Sequence, residues 1–166
     1  LINDLLNFSR YQNGLQKLTL GTCDVTDLLE HARARFAEPA NAQHIELLVE
    51  AQPELPRLYA DQVQLERVLD NLLGNALRHT AEGGQIRLQA RRHGERVIIS
   101  VEDNGEGIAY GQQGRIFEPF VQVGRKKGGA GLGLALCKEI VQLHGGRMGV
   151  YSRPGQGTQF YMALPL

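Results

Sequence analysis

The sequence predicts an α+β domain, on three observations. Residues 96–103 alternate so that Val97, Ile99, Val101 and Asp103 share one strand face. Residues 85–92 alternate likewise through Ile86, Leu88 and Ala90, and His93-Gly94-Glu95 joins the two runs as an antiparallel hairpin. Leu65, Val68, Leu69, Leu72, Leu73 and Ala76 instead recur at helical spacing, as do Leu136, Ile140, Val141 and Leu143. Two further strand runs, 147–152 and 159–164, close the sheet around the turn Pro154-Gly155-Gln156-Gly157-Thr158. A chain of 166 residues fits one domain with a short appendage and can bury a core without covalent staples.

In chain order, residues 1–14 read as the end of a helix. Leu1, Ile2, Leu5, Leu6 and Phe8 form an apolar stripe and Asn13-Gly14 is a stop signal. Fourteen residues are too few for a stable isolated helix, so this stripe is expected to cover something outside the chain, or a second copy, rather than fold back onto the main domain. The apolar pattern is already running at Leu1, as expected of a piece of a longer protein. Residues 17–22 are a short strand candidate. Asp24 then caps a helix of about four turns, carrying Leu28, Leu29, Ala32 and Phe36 and stopping before Pro39. A strand follows at 45–51, and Arg57-Leu58-Tyr59 makes a brief third. Asp61 caps the helix that runs to Thr80. After Ile108 a short helix ends near Ile116, and the last helix stops at His144-Gly145-Gly146.

Composition narrows the function classes. The 18 basic and 18 acidic residues cancel, so neither nucleic acid nor an anionic membrane is the expected partner. No run is apolar and long enough to span a bilayer, and none of the stretches is expected to be a signal peptide. Cys23 and Cys137 lie far apart with no metal-type spacing, which fits a reducing compartment.

Four stretches are chemically informative. Asp103 is delivered to a buried face at a strand end and is followed by Gly105 and Gly107. Either it caps its own turn, or it accepts hydrogen bonds from a ligand such as an amino-purine. Asn71, Asn75 and Arg78 form a separate polar stripe on their helix. Either this is a solvated face, or the amides ligate Mg²⁺ and the guanidinium meets phosphate. Phe117 and Phe120 are expected to anchor the base of a long loop whose tip, Arg125, Lys126 and Lys127, is either solvated or screens phosphates. Gly129-Ala130-Gly131-Leu132-Gly133-Leu134 opens the last helix with exposed backbone donors suited to an anion. It is neither a Walker A loop, lacking the Lys-Ser/Thr, nor a Rossmann fingerprint, lacking a preceding strand.

Taken in order, Asn71-x₃-Asn75, Asp103-x-Gly105-x-Gly107, Phe117-x₂-Phe120 and Gly129-x-Gly131-x-Gly133 closely resemble the N, G1, F and G2 boxes of the catalytic ATP-binding domain of sensor histidine kinases, in the GHKL superfamily with DNA gyrase, Hsp90 and MutL. Gly155-x-Gly157-Thr158 resembles the last glycine motif of that family. The resemblance covers the chain from about Thr19, and residues 1–14 resemble the end of the family's dimerisation hairpin, leaving 15–166 as the catalytic domain. It implies a two-layer α/β sandwich, a mixed, mostly antiparallel sheet with three helices on one face. It implies that Asp103 binds the adenine amino group over Gly107, that Asn75 ligates Mg²⁺, and that Asn71 and Arg78 face the phosphates. Gly105, Ile108, Phe117, Phe120, Lys127, Gly129, Gly131, Leu132, Gly133, Leu134 and Thr158 complete the implied nucleotide contacts, and residues 109–130 the mobile lid.

The resemblance also implies partners and departures. Hydrolysing members carry a glutamate where Asn71 stands, and an amide is a poor general base, so phosphoryl transfer rather than hydrolysis is expected. Glu66 or Asp70 on the same helix is the candidate to assist catalysis. The His-Glu/Asp-Leu-Arg-x-Pro acceptor box is missing, since neither His31 nor His44 fits it. The acceptor histidine is therefore expected on an upstream helix, within a homodimer, with a response-regulator receiver domain as the next acceptor. The domain is expected in the cytoplasm, whether or not the whole protein is anchored in the inner membrane. A non-catalytic nucleotide sensor and a GHKL ATPase are the alternatives.

Overall fold

A computed structural model describes residues 2–121 and 132–166, apart from the side chain of Asp4. Its elements are α1 (Ile2–Gln12), β1 (Gly21–Cys23), α2 (Val25–Ala42), β2 (Glu46–Ala51), β3 (Leu58–Ala60), α3 (Gln62–His79), β4 (Gln85–His93), β5 (Arg96–Asp103), α4 (Tyr110–Gln113), α5 (Gly133–Leu143), β6 (Arg147–Arg153) and β7 (Gly157–Pro165). Five strands form one sheet in the order β2-β4-β5-β7-β6, in which only β2 and β4 run parallel. Among the described residues α2, α3 and α5 cover one face of it, which is the expected two-layer sandwich.

The hydrophobic pattern explains that layering. Ile86, Leu88, Val97, Ile99 and Val101 are each at most 1% exposed, and so are Leu65, Val68, Leu69, Leu72, Leu73, Leu136, Ile140 and Val141 from the facing helices. The Asp61 side chain accepts the Gln64 N–H and starts α3; the Asp24 side chain does the same for Asp27 in α2. No described helix is long and apolar enough to cross a membrane.

Several expectations need correction. The strand foreseen at 17–22 is only Gly21–Cys23, and it pairs with β3 in a separate two-stranded sheet. Helix α2 runs through Pro39 to Ala42. The proline falls in the last turn, where its missing N–H leaves only the Arg35 carbonyl unbonded, and the burial of Ala40 holds the turn in place. The helix foreseen up to Ile116 is a single turn, α4.

Helix α1 also departs from expectation, because its end does fold back onto the main domain. Tyr11 is buried and donates to Gln64 Oε1 at 2.7 Å, and Gln12 Nε2 donates to Glu139 Oε1 at 3.2 Å. The first turns keep Ile2, Leu5 and Leu6 exposed. Burial, with the nearby Asp61 adding to it against the opposing charge of Arg67, pushes the Tyr11 phenol up to about 12. The phenol thus steadies the α1 contact below its ordinary 10.0 and stops doing so as pH rises through about 12. Tyr11→Phe is expected to weaken this attachment by about 1 kcal/mol. Hydrogen exchange should then speed up in the second half of α1 and stay unchanged in β5.

Candidate functional site

The site forms where α3, the end of β5 and the β6–β7 turn converge. Strand alternation carries Asp103 to the core side, where it is 6% exposed. Its carboxylate accepts the Gly105 N–H at 2.9 Å, and the Thr158 N–H across the β5–β7 ladder. Burial pushes the carboxyl pKa up; those two N–H groups and the nearby His79 oppose the shift, while Glu102 adds to it. Asp103 therefore does cap its own turn, and it also lines a narrow cavity with Asn75, His79, Gly107, Ile108, Leu134, Thr158 and Phe160. The capping reading of this residue is therefore seen directly, and its place in the cavity leaves it open to a ligand as well.

The loop after Asp103 requires its glycines. Gly107 has φ +74°, and a Cβ there would run into the Arg153 carbonyl; a Cβ on Gly105 would run into the His79 carbonyl. Two residues that went unassigned from sequence fasten this loop. Ser152 Oγ accepts the Ile108 N–H at 2.8 Å, donates to the Gly157 carbonyl at 2.9 Å and meets Thr158 Oγ1 at 2.8 Å. His79 Nδ1 lies 2.8 Å from Glu106 Oε1, while the His79 carbonyl accepts the Glu106 N–H. The end of α3 is thereby tied to the loop that frames Asp103.

The polar stripe of α3 meets the start of α5. Asn71 Nδ2 donates to the Gly133 carbonyl at 3.5 Å, and Arg78 Nη2 donates to Asn75 Oδ1 at 3.3 Å. Asn75, Asp103, Gly107, Ile108, Leu134 and Thr158 thus line one narrow cavity, while Asn71 joins α3 to Gly133 beside it and Arg78, exposed, touches it through Asn75. Leu132 is buried and Gly133 begins α5. Lys127, Gly129 and Gly131 lie outside the described residues.

Two candidates are not brought to the cleft. Glu66 accepts from Gln62 Nε2 at 3.2 Å, about 140° round α3 from Asn71 at 100° per residue. Asp70 is held by the Arg35 guanidinium at 2.7 Å. Neither is placed to act as a base there. Of the two phenylalanines, only Phe117 anchors, edge-on to Phe160 with centroids 6.1 Å apart. Phe120 is 65% exposed at φ +65°.

Among the described residues no three of His, Cys, Asp and Glu cluster as a metal site. The donor set would fit Mg²⁺ only beside phosphates: one amide oxygen, Asn75 Oδ1, is offered, and phosphate and water would have to supply the rest.

A mixed sheet with helices on one face, a carboxylate at the floor of the cleft and an amide stripe beside a helix start together define a two-layer α/β domain of the ATPase and kinase type. The chain belongs to the histidine kinase-, DNA gyrase B- and HSP90-like ATPase family, which it matches over residues 60–166. It is 69% identical over 166 residues to the alginate biosynthesis sensor protein KinB of Pseudomonas aeruginosa, covering all of this chain and 28% of KinB. Full-length ShkA, solved in complex with AMPPNP, superposes with TM-score 0.91 at 36% identity, covering 99% of this chain and 35% of ShkA. Histidine kinase ThkA, solved in complex with the response regulator protein TrrA, gives TM-score 0.80 at 25% identity, covering 99% of this chain and 48% of ThkA.

Proposed function

We propose that this domain binds Mg²⁺·ATP and passes the γ-phosphate to a histidine on an upstream helix, for relay to a response regulator. The observation that carries this reading is Asp103, a buried carboxylate lining the same narrow cavity as Asn75, next to the Asn71–Gly133 contact at the start of α5. Asp103 accepts the adenine amino hydrogen, and Gly107 leaves room for the ring. Asn71 and Arg78 face the phosphates, with backbone N–H groups at the start of α5. Asn75 would hold Mg²⁺, which when bound would supply neutralisation of phosphate charge. With an amide at Asn71 and both Glu66 and Asp70 engaged elsewhere, none of these three α3 side chains is set to activate water, which favours transfer over hydrolysis. The AMPPNP bound to ShkA and the TrrA bound to ThkA support the same choice of nucleotide and partner. We place the domain in the cytoplasm, in a homodimer formed through the hairpin to which α1 belongs.

The test supplies γ-labelled ATP and Mg²⁺ with a histidine-bearing helical hairpin in trans. Acid-labile label on the hairpin, none on this chain, and little free phosphate are expected. Steady phosphate release without the hairpin would establish an ATPase instead, and nucleotide binding with neither product a sensor.

A further inference from the structure

The sheet face turned away from the helices carries a second feature. Pairing registers place Arg91 of β4, Ile98 of β5, Ala163 of β7 and Arg147 of β6 in one row across the strands. Three strand spacings separate the two arginine backbones, about 14 Å. The next row towards the sheet edge adds His93 and Arg96. The row on the other side holds Ser100 and Tyr161. Small residues in the middle and long ones at the margins leave a trough of about 630 Å³.

One wall of the trough is built in. The Tyr161 ring lies over Gly149, where a Cβ would run into it, and it stacks on Tyr151 with centroids 5.5 Å apart. The charges are arranged unevenly. Arg87, on the same face, pairs with both Glu50 and Glu102, which leaves Glu50 as the one carboxylate among the described residues lining the trough, itself ion-paired. Arg91, His93 and Arg147 are exposed and, among the described residues, have no carboxylate partner. Arg96 donates to the Ala163 carbonyl at 3.4 Å.

We propose that this trough docks an acidic, extended segment of a partner protein, with carboxylates on Arg91 and Arg147 and its chain across Ile98 and Ala163. The spacing sets the form of the ligand. Four residues of extended chain span about 13–14 Å and return a side chain to the same face, so acidic residues at i and i+4 reach both guanidiniums. Helical i and i+4 positions lie only about 6 Å apart and reach one. The tyrosine pair gives an apolar flank to the residues between. A nucleic-acid strand fits less well. Its repeating phosphates need a longer basic track than this row of cations offers, and the chain has no net positive charge. The trough lies on the opposite side of the sheet from the nucleotide cleft, so the inference stands apart from the proposed activity.

The test is fluorescence anisotropy with a labelled decapeptide bearing aspartates at its third and seventh positions in a valine/serine background. The same peptide with asparagines and an oligothymidylate of equal length serve as comparators. Saturable binding is expected, about tenfold or more tighter than the asparagine peptide and weakening as salt is raised. Arg91→Glu with Arg147→Glu should remove it without changing affinity for an ATP analogue or the melting temperature, since both side chains are exposed. Equal binding of the asparagine peptide, no loss in the double variant, or tighter binding of the oligonucleotide would each overturn the proposal.

Discussion

Asp103→Asn is expected to lower affinity for ATP about 100-fold while leaving the fold in place. A hydrogen bond to a buried charged acceptor contributes roughly 1.5–3 kcal/mol, and the asparagine amide would present a donor where the ligand needs an acceptor. The fold survives because Asn keeps one oxygen for the Gly105 or Thr158 N–H and nearly the same volume. The pH dependence separates this role from a structural one. Burial holds the folded-state pKa of Asp103 above the ordinary 3.8. A group raised in this way favours the empty fold most below pH 3.8 and withdraws that contribution as pH rises through its folded value. At neutral pH the empty domain therefore carries a buried, ionised carboxylate at a cost, and a donor on the ligand offsets it. Affinity of the unmodified domain should fall on acidification through the raised pKa, beyond the change from titration of the nucleotide itself. The variant should lose that extra component. Titration with a fluorescent ATP analogue across pH checks both. Undiminished binding by the variant would remove Asp103 from the site.

Part of this site was legible before any coordinates, and physical reasons decide which part. Period-two alternation alone sends Asp103 inward with Val97, Ile99 and Val101, and period 3.6 alone sets Asn71, Asn75 and Arg78 apart from the leucine stripe of α3. Both are local patterns. Ser152 and the His79–Glu106 contact were not legible, because their partners lie 5–44 and 27 residues away in sequence and exist only once the sheet and α3 meet. Glu66 misled for a related reason. Its closeness to Asn71 in sequence hides a rotation that puts it on another side of the helix. Strands β1 and β3 are three residues each, too short to show a period. In α1 the leucines drew notice, yet the residue that attaches the helix is Tyr11, through a hydroxyl whose acceptor is 53 residues away.

Asn75→Ala is expected to slow phosphate transfer to the hairpin about 100-fold or more, the range seen when a metal-positioning or transition-state group is removed. Binding of nucleotide without Mg²⁺ should change little, because the proposed site assigns adenine recognition to Asp103 and Gly107. The usual objection, that a dead variant is an unfolded one, does not apply here. Alanine is a better helix former than asparagine by about half a kcal/mol, and Asn75 is half-buried on α3, where its side chain accepts from the Arg78 guanidinium. The variant should therefore melt at or slightly above the temperature of the unmodified domain. Arg78 gives a graded comparison. Its side chain is exposed and, in the proposed site, would meet phosphate as a charge rather than as a fixed ligand, so Arg78→Ala should slow transfer less and keep the Mg²⁺ requirement. The two variants differ most in a Mg²⁺ titration of transfer rate, where loss of Asn75 moves the midpoint to higher Mg²⁺ and loss of Arg78 lowers the plateau. An Asn75→Ala domain with an unchanged midpoint and rate would show that the cation is held elsewhere, and the reading of the α3 stripe as a phosphate-facing surface would fall with it.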